Sequence, residues 1–143
     1  MLTVRQLLQK KGGQVWSVSP DTSVFDAIKL MADKRVGALL VLDETRLVGI
    51  VSERDYATKV ILQGRSSEET PVRAIMAEDV LYVTPERSVE ECMALMTEKR
   101  VRHLPVLEEN RLIGVLSSGD LIKAIISDQQ FIIGQLERYI RGR

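Results

Sequence analysis

Two serines stand three residues ahead of an aspartate in closely similar settings, Ser52 before Asp55 and Ser117 before Asp120. An ionised carboxylate only accepts hydrogen bonds, and its two oxygens can take both hydroxyls of a cis-diol. Charge-assisted bonds of that kind contribute about 1.5–3 kcal/mol each. A serine at a helix start stands beside free backbone N–H groups, which suit a phosphate. The same Ser-x-x-Asp spacing is also a helix capping box, so a purely structural use accounts for it too. The two uses are compatible, because a cap fixes the loop that would hold a ligand.

Positive charge is placed unevenly around these pairs. Arg54 stands in the first where the second has Gly119, while Arg102 and His103 stand where the first has Gly37 and Ala38. The asymmetry predicts different phosphate preferences at the two sites; solvated surface charge is the alternative. If His103 donates to a phosphate, binding weakens as pH rises through its ordinary pKa, near 6.5. Lys34-Arg35 and Lys99-Arg100 suit the negative ends of helix dipoles.

Other chemistry is scarce. Cys92 is the single cysteine, so no intrachain disulfide or cysteine cluster for zinc forms, and His103 is the single histidine. No nucleophile–base pair, metal set or glycine-rich phosphate loop is present, which predicts a non-enzyme with no catalytic cofactor. In 143 residues, 20 Lys plus Arg balance 20 Asp plus Glu. Neutrality argues against a long polyanion such as nucleic acid as partner. No apolar run approaches the roughly 18–20 residues of a membrane span. The start MLTVRQLLQKKGG lacks a signal peptide's apolar core. The expectation is a cytoplasmic protein without membrane contact.

What must position the carboxylates is a repeat. Residues 15–61 match residues 80–126 without a gap at 20 of 47 positions, and Val4–Leu8 corresponds to Val72–Met76. Each copy reads as β-α-β-β-α. A strand (Val15–Val18, Val80–Val83) runs into a proline, and Ser23 or Ser88 then caps a helix with an apolar stripe. Ala38–Leu42 with Leu47–Val51, and Leu104–Leu107 with Leu112–Leu116, read as antiparallel hairpins. Second helices start at Ser52 and Ser117. The fold class is therefore α/β (α+β), two copies packed with pseudo-two-fold symmetry, plus an N-terminal turn and a C-terminal helix. Repeat one spans 3–61, a polar connector 62–70, repeat two 71–126, and an amphipathic helix 127–143 ending in Arg138, Arg141 and Arg143. A cleft between the copies is a usual place for a small ligand. Cys92 reads as a buried small hydrophobe; Trp16 and Tyr82 read as core residues, with covering an adenine as the alternative use of either.

The tandem copies, their order of elements, and the endings Gly49-Ile50-Val51-Ser52-Glu53-Arg54-Asp55 and Gly114-Val115-Leu116-Ser117-Ser118-Gly119-Asp120 resemble a pair of cystathionine-β-synthase (CBS) domains. Arg102-His103-Leu104-Pro105-Val106 suits that family as well; the first copy departs from it, with Gly37-Ala38-Leu39-Leu40 and no proline. The resemblance implies a stand-alone, bacterial-type regulatory sensor of AMP, ADP, ATP, NAD or S-adenosylmethionine. It implies that Asp55 and Asp120 accept both ribose hydroxyls and that Ser52 and Ser117 contact ribose or phosphate. Arg54, Arg102 and His103 would serve phosphate, and Val36, Gly37, Ala38, Val101, Leu104 and Pro105 would enclose adenine. It further implies a homodimer and a regulated partner protein. The alternative is a protein-interaction scaffold with vestigial clefts.

Overall fold

Both Ser-x-x-Asp sets lie where the last strand of a hairpin turns into a helix, and the hairpins repeat most faithfully. The computed structural model describes residues 2–141. Helix α1 (Val4–Lys11) precedes β1 (Ser17–Val18), α2 (Val24–Lys34), β2 (Ala38–Asp43), β3 (Arg46–Ser52) and α3 (Glu53–Tyr56). Helix α3 continues as a π-helical turn over Ala57–Ile61. A 3-10 turn (Val72–Ala74), α4 (Val89–Lys99), β4 (His103–Glu108), β5 (Arg111–Ser117) and α5 (Ser118–Ile140) follow. The mixed helices and small sheets are the α/β class anticipated.

The chain forms two compact units. The first, Val15–Leu81, holds a sheet in which β1 pairs parallel with β2 and β2 antiparallel with β3. The buried stripe Val24, Ala27 and Met31 of α2 packs with Leu39, Val41 and Val51 of the sheet, and with Val60, Val72 and Ile75. Val72 and Ile75 belong, by sequence, to the lead-in of the second repeat. Segment 62–70 is also tied in: Val24 N–H donates to the Thr70 carbonyl at 2.8 Å and Phe25 N–H to that of Ser67 at 2.9 Å.

The second unit joins the described residues before Val15 to those from Tyr82 onward. Here the β4–β5 hairpin pairs antiparallel. Buried residues come from α4 (Val89, Cys92, Met96), the hairpin (Leu104, Val106, Leu116) and α5 (Leu121). Helix α1 adds Val4, Leu7 and Leu8, with Leu8 against Gly114. Each unit is thus completed by the lead-in of the other repeat. The joints match atom for atom: Val72 N–H donates to Thr22 O at 2.8 Å as Val4 N–H does to Arg87 O. Arg73 pairs with Asp21 as Arg5 pairs with Glu86.

Three local expectations change. No strand spans Val80–Val83; only Val83 bridges to Val106. In the first unit the Leu40 N–H donates to the Trp16 carbonyl at 3.3 Å. Its counterpart in the second is Pro105, which has no N–H, so that ladder bond cannot form. The C-terminal helix is not separate: α5 runs unbroken from Ser118 through Ile140, with no proline near residue 127 to stop it and Ser127 and Asp128 carried inside it. Arg143 lies outside the described residues. Tyr82, expected in the core, is half exposed.

Candidate functional site

Each carboxylate is placed by the same local chemistry. In the first unit β3 ends at Ser52, opposite Ala38 of β2. The Ser52 hydroxyl accepts from Asp55 N–H at 3.2 Å, and Ser52 N–H donates back to Asp55 Oδ2 at 2.9 Å. The first N–H of α3, on Glu53, donates to the Gly37 carbonyl at 3.0 Å. In the second unit Ser117 lies opposite His103, and its hydroxyl accepts from Asp120 N–H at 3.1 Å. Ser117 N–H donates to Asp120 Oδ2 at 2.8 Å, and Ser118 N–H to the Arg102 carbonyl at 2.9 Å. Both pairs are therefore full capping boxes. The capping leaves each aspartate half-buried at a strand-to-helix junction.

The wider surroundings differ. Asp55 Oδ2 also accepts from the Ser52 hydroxyl at 3.0 Å, and Lys59 Nζ stands 3.2 Å from Oδ1 while donating to the Ile75 carbonyl at 2.9 Å. At Asp120 the cation is Lys11, the last residue of α1. Its Nζ lies 2.7 Å from Oδ2 and 2.5 Å from the Val115 carbonyl oxygen. Asp120 also lines a cavity of about 620 Å³ with Lys10, Lys11, Lys123, Asp128 and Phe131. Burial pushes the Asp120 carboxyl up, but the Lys11 hydrogen bond, the Ser117 N–H and the lysine's charge outweigh it and hold the group below its ordinary range. Burial, against the pull of Asp120, keeps the His103 pKa below 6.5. A cationic His103 is thus confined to lower pH than an exposed imidazole would require.

The other residues singled out by sequence divide between the two units. Arg54 and Arg102 are exposed and form no ion pair among the described residues. Val36, Gly37 and Ala38 sit half-buried at the start of β2, and Val101 half-buried just before β4. Leu104 and Pro105 are buried. The Lys34 ammonium sits 4.3 Å from the Trp16 ring centroid. Burial pushes the Cys92 thiol up to about 11, so it stays a packed, protonated side chain. Sequence reading missed Lys11 and Lys59. The i,i+4 spacing of Asp55 and Lys59 was a usable signal; Lys11, far away in sequence and outside the aligned repeat, offered none.

Two matching copies, each with a helix, an antiparallel hairpin and a serine-capped aspartate opening the helix that follows, define a tandem module. The CBS domain family model matches residues 4–61 and again 72–127, and the chain belongs to that family. The CBS domain-containing protein CBSX3, mitochondrial, of Arabidopsis thaliana is 39% identical, the match covering 98% of this chain and 72% of that one. The CBS domain-containing protein YhcV of Bacillus subtilis (strain 168) is 35% identical over 76% of each chain. A solved protein with CBS domains from Burkholderia ambifaria MC40-6 shares 55% identity at a TM-score of 0.85, covering 89% of this chain and 96% of its own. CBS domains generally act as regulatory modules for adenosine ligands and typically oligomerise. Proteins built only of them are generally non-catalytic. Among the described residues no helix is long and apolar enough to cross a membrane.

Proposed function

We propose that this chain is a sensor of adenosine-containing nucleotides (AMP, ADP, ATP or NAD), with the ribose diol on Asp55 and Asp120. The observation that carries this reading is the Asp120 carboxylate. It is half-buried, ionised and oriented by Ser117, and among the described residues no group donates to its Oδ1. It stands beside a cavity that carries three lysines. A structural cap has no need of that cavity; a nucleotide uses both parts. Ser52 and Ser117 would meet ribose or phosphate, and Arg54, Arg102 and His103 would supply positive charge. Val36, Gly37, Ala38, Val101, Leu104 and Pro105 belong to the strand starts from which adenine would be held. The exposed Ile122, Ile126, Phe131, Ile133 and Leu136 of α5 support self-association into a homodimer. Signalling would follow from a nucleotide favouring one arrangement that a partner protein reads.

A thermal-shift series with AMP, ADP, ATP, NAD and S-adenosylmethionine tests the reading. A ligand at 100 times its Kd stabilises the native state by about 2.7 kcal/mol. At least one nucleotide should raise the melting temperature, and the paired substitutions Asp55→Asn and Asp120→Asn should abolish the rise. A flat response to all of them would favour the scaffold alternative.

A further inference from the structure

Building on the nucleotide reading of Asp120, we propose that Lys11 is the specificity residue of the second unit. It keeps the carboxylate closed to neutral nucleosides and releases it only to a ligand bringing its own negative charge. The Lys11 ammonium holds Asp120 Oδ2 at 2.7 Å and the Val115 carbonyl at 2.5 Å, while Ser117 N–H occupies the same Oδ2 at 2.8 Å. One oxygen therefore already accepts two donors. A diol that engages both oxygens must dislodge the lysine, since the backbone N–H is fixed by the cap. Once dislodged, the ammonium remains against a partly buried wall and needs a new anion. The cavity sharpens that need: Lys10, Lys11 and Lys123 face it with only Asp120 and Asp128 opposing them. With Asp120 Oδ2 given to the ribose, Lys11 loses its carboxylate contact in a lining that already carries three lysines against two aspartates. A phosphate satisfies it; adenosine does not. The first unit is set differently, because Lys59 lies on the same helical turn as Asp55 and its side chain is 46% exposed against 29% for Lys11. Water replaces the carboxylate for Lys59 at little cost.

The test is isothermal titration of the intact chain carrying Asp55→Asn, which leaves the second unit as the diol site, with Lys11 retained or changed to Met. With Lys11 present, AMP should bind at least about tenfold tighter than adenosine, the value of one charge-assisted hydrogen bond. With Lys11→Met, adenosine should bind tighter than before and AMP more weakly, so that the preference collapses. The gain for adenosine is the diagnostic sign, because simple attraction of phosphate to a lysine leaves adenosine unchanged. Unchanged adenosine affinity, or an AMP preference equal in both proteins, overturns the role of Lys11 while the nucleotide reading stands. Binding of neither AMP nor adenosine overturns the role of Lys11, and the nucleotide reading then falls only if the thermal-shift series is flat as well. Should Lys11→Met melt early, equal affinity of AMP and adenosine in the Lys11-containing protein still refutes the proposal, and Lys11→Gln repeats the comparison.

Discussion

His103 couples its own protonation to stability in a direction that can be worked out. Burial holds its folded pKa below the ordinary 6.5. As pH falls, the unfolded chain therefore takes up the proton first, and the unfolded state binds more protons through that window. Stability then rises with pH there. The contribution of His103 is complete above about 6.5 and is lost as pH drops toward the folded value. Because this is the only histidine in the chain, little else titrates between pH 5 and 7 on the usual scale. Melting temperatures recorded down that range should decline, and His103→Gln should flatten the decline; parallel curves would show that His103 is not the group responsible. A bound phosphate should work the other way, favouring the cation, so AMP affinity should strengthen as pH falls below about 6.5. The same pH dependence of AMP affinity in His103→Gln, which retains the titration of the phosphate itself, would remove His103 from the phosphate site. At this scale the sequence was informative about the acceptors and poor about their counter-ions. Ser52, Asp55, Ser117 and Asp120 were legible because capping is local and the repeat shows it twice. Lys11 reaches Asp120 only through the tertiary fold.

At the scale of elements, the hairpins were readable because apolar strands flank a polar turn, and even their irregularities repeat, with register shifts at Val41/Leu42 and Val106/Leu107. The strand over Val80–Val83 was not, because its absence depends on which residue faces it. Pro105 suppresses a bond that the pattern of residues 80–83 alone cannot reveal. The glycines of β3 and β5 show the same dependence. A Cβ at Gly49 would come within 2.6 Å of Met76 Sδ and 3.0 Å of the Ala77 carbonyl oxygen; one at Gly114 would meet Leu8 Cδ2 at 2.7 Å. Leucine can turn its methyl away, whereas the Ala77 backbone accepts from Ile50 N–H at 3.0 Å and is held. Overpacking typically costs about 1–3 kcal/mol. Gly49→Ala should fall near the top of that range and Gly114→Ala near the bottom. Denaturant unfolding of both variants checks the order, and a larger loss at Gly114 would contradict it.

Over the whole molecule, the repeat in sequence and the compact unit in space are offset by one lead-in segment. The duplication was plain from 20 identities in 47 aligned positions, but no periodicity tells which copy a lead-in packs upon. Leu7 and Ile75 occupy corresponding places in the two lead-ins and are 7% and 1% exposed. Ile75 lies in the core cluster of Val15–Leu81, while Leu7 belongs to the unit built from Tyr82 onward. Truncating a buried Leu or Ile to Ala costs about 2–5 kcal/mol, through lost burial and the cavity left behind. Sequence order alone would assign the damage of Leu7→Ala to the repeat that follows it directly. The packing assigns it to α4, β4 and β5, and assigns that of Ile75→Ala to α2, β2 and β3. Native-state hydrogen exchange separates these outcomes, since protection is lost in contiguous cooperative segments. Leu7→Ala should speed exchange at Leu104, Val106 and Leu116 well before Leu39, Val41 and Val51, and Ile75→Ala should reverse that order. If Leu7→Ala instead loosened Leu39, Val41 and Val51 first, the lead-ins would stay with their own repeats, and Lys11 would lose the anchorage that brings it to Asp120.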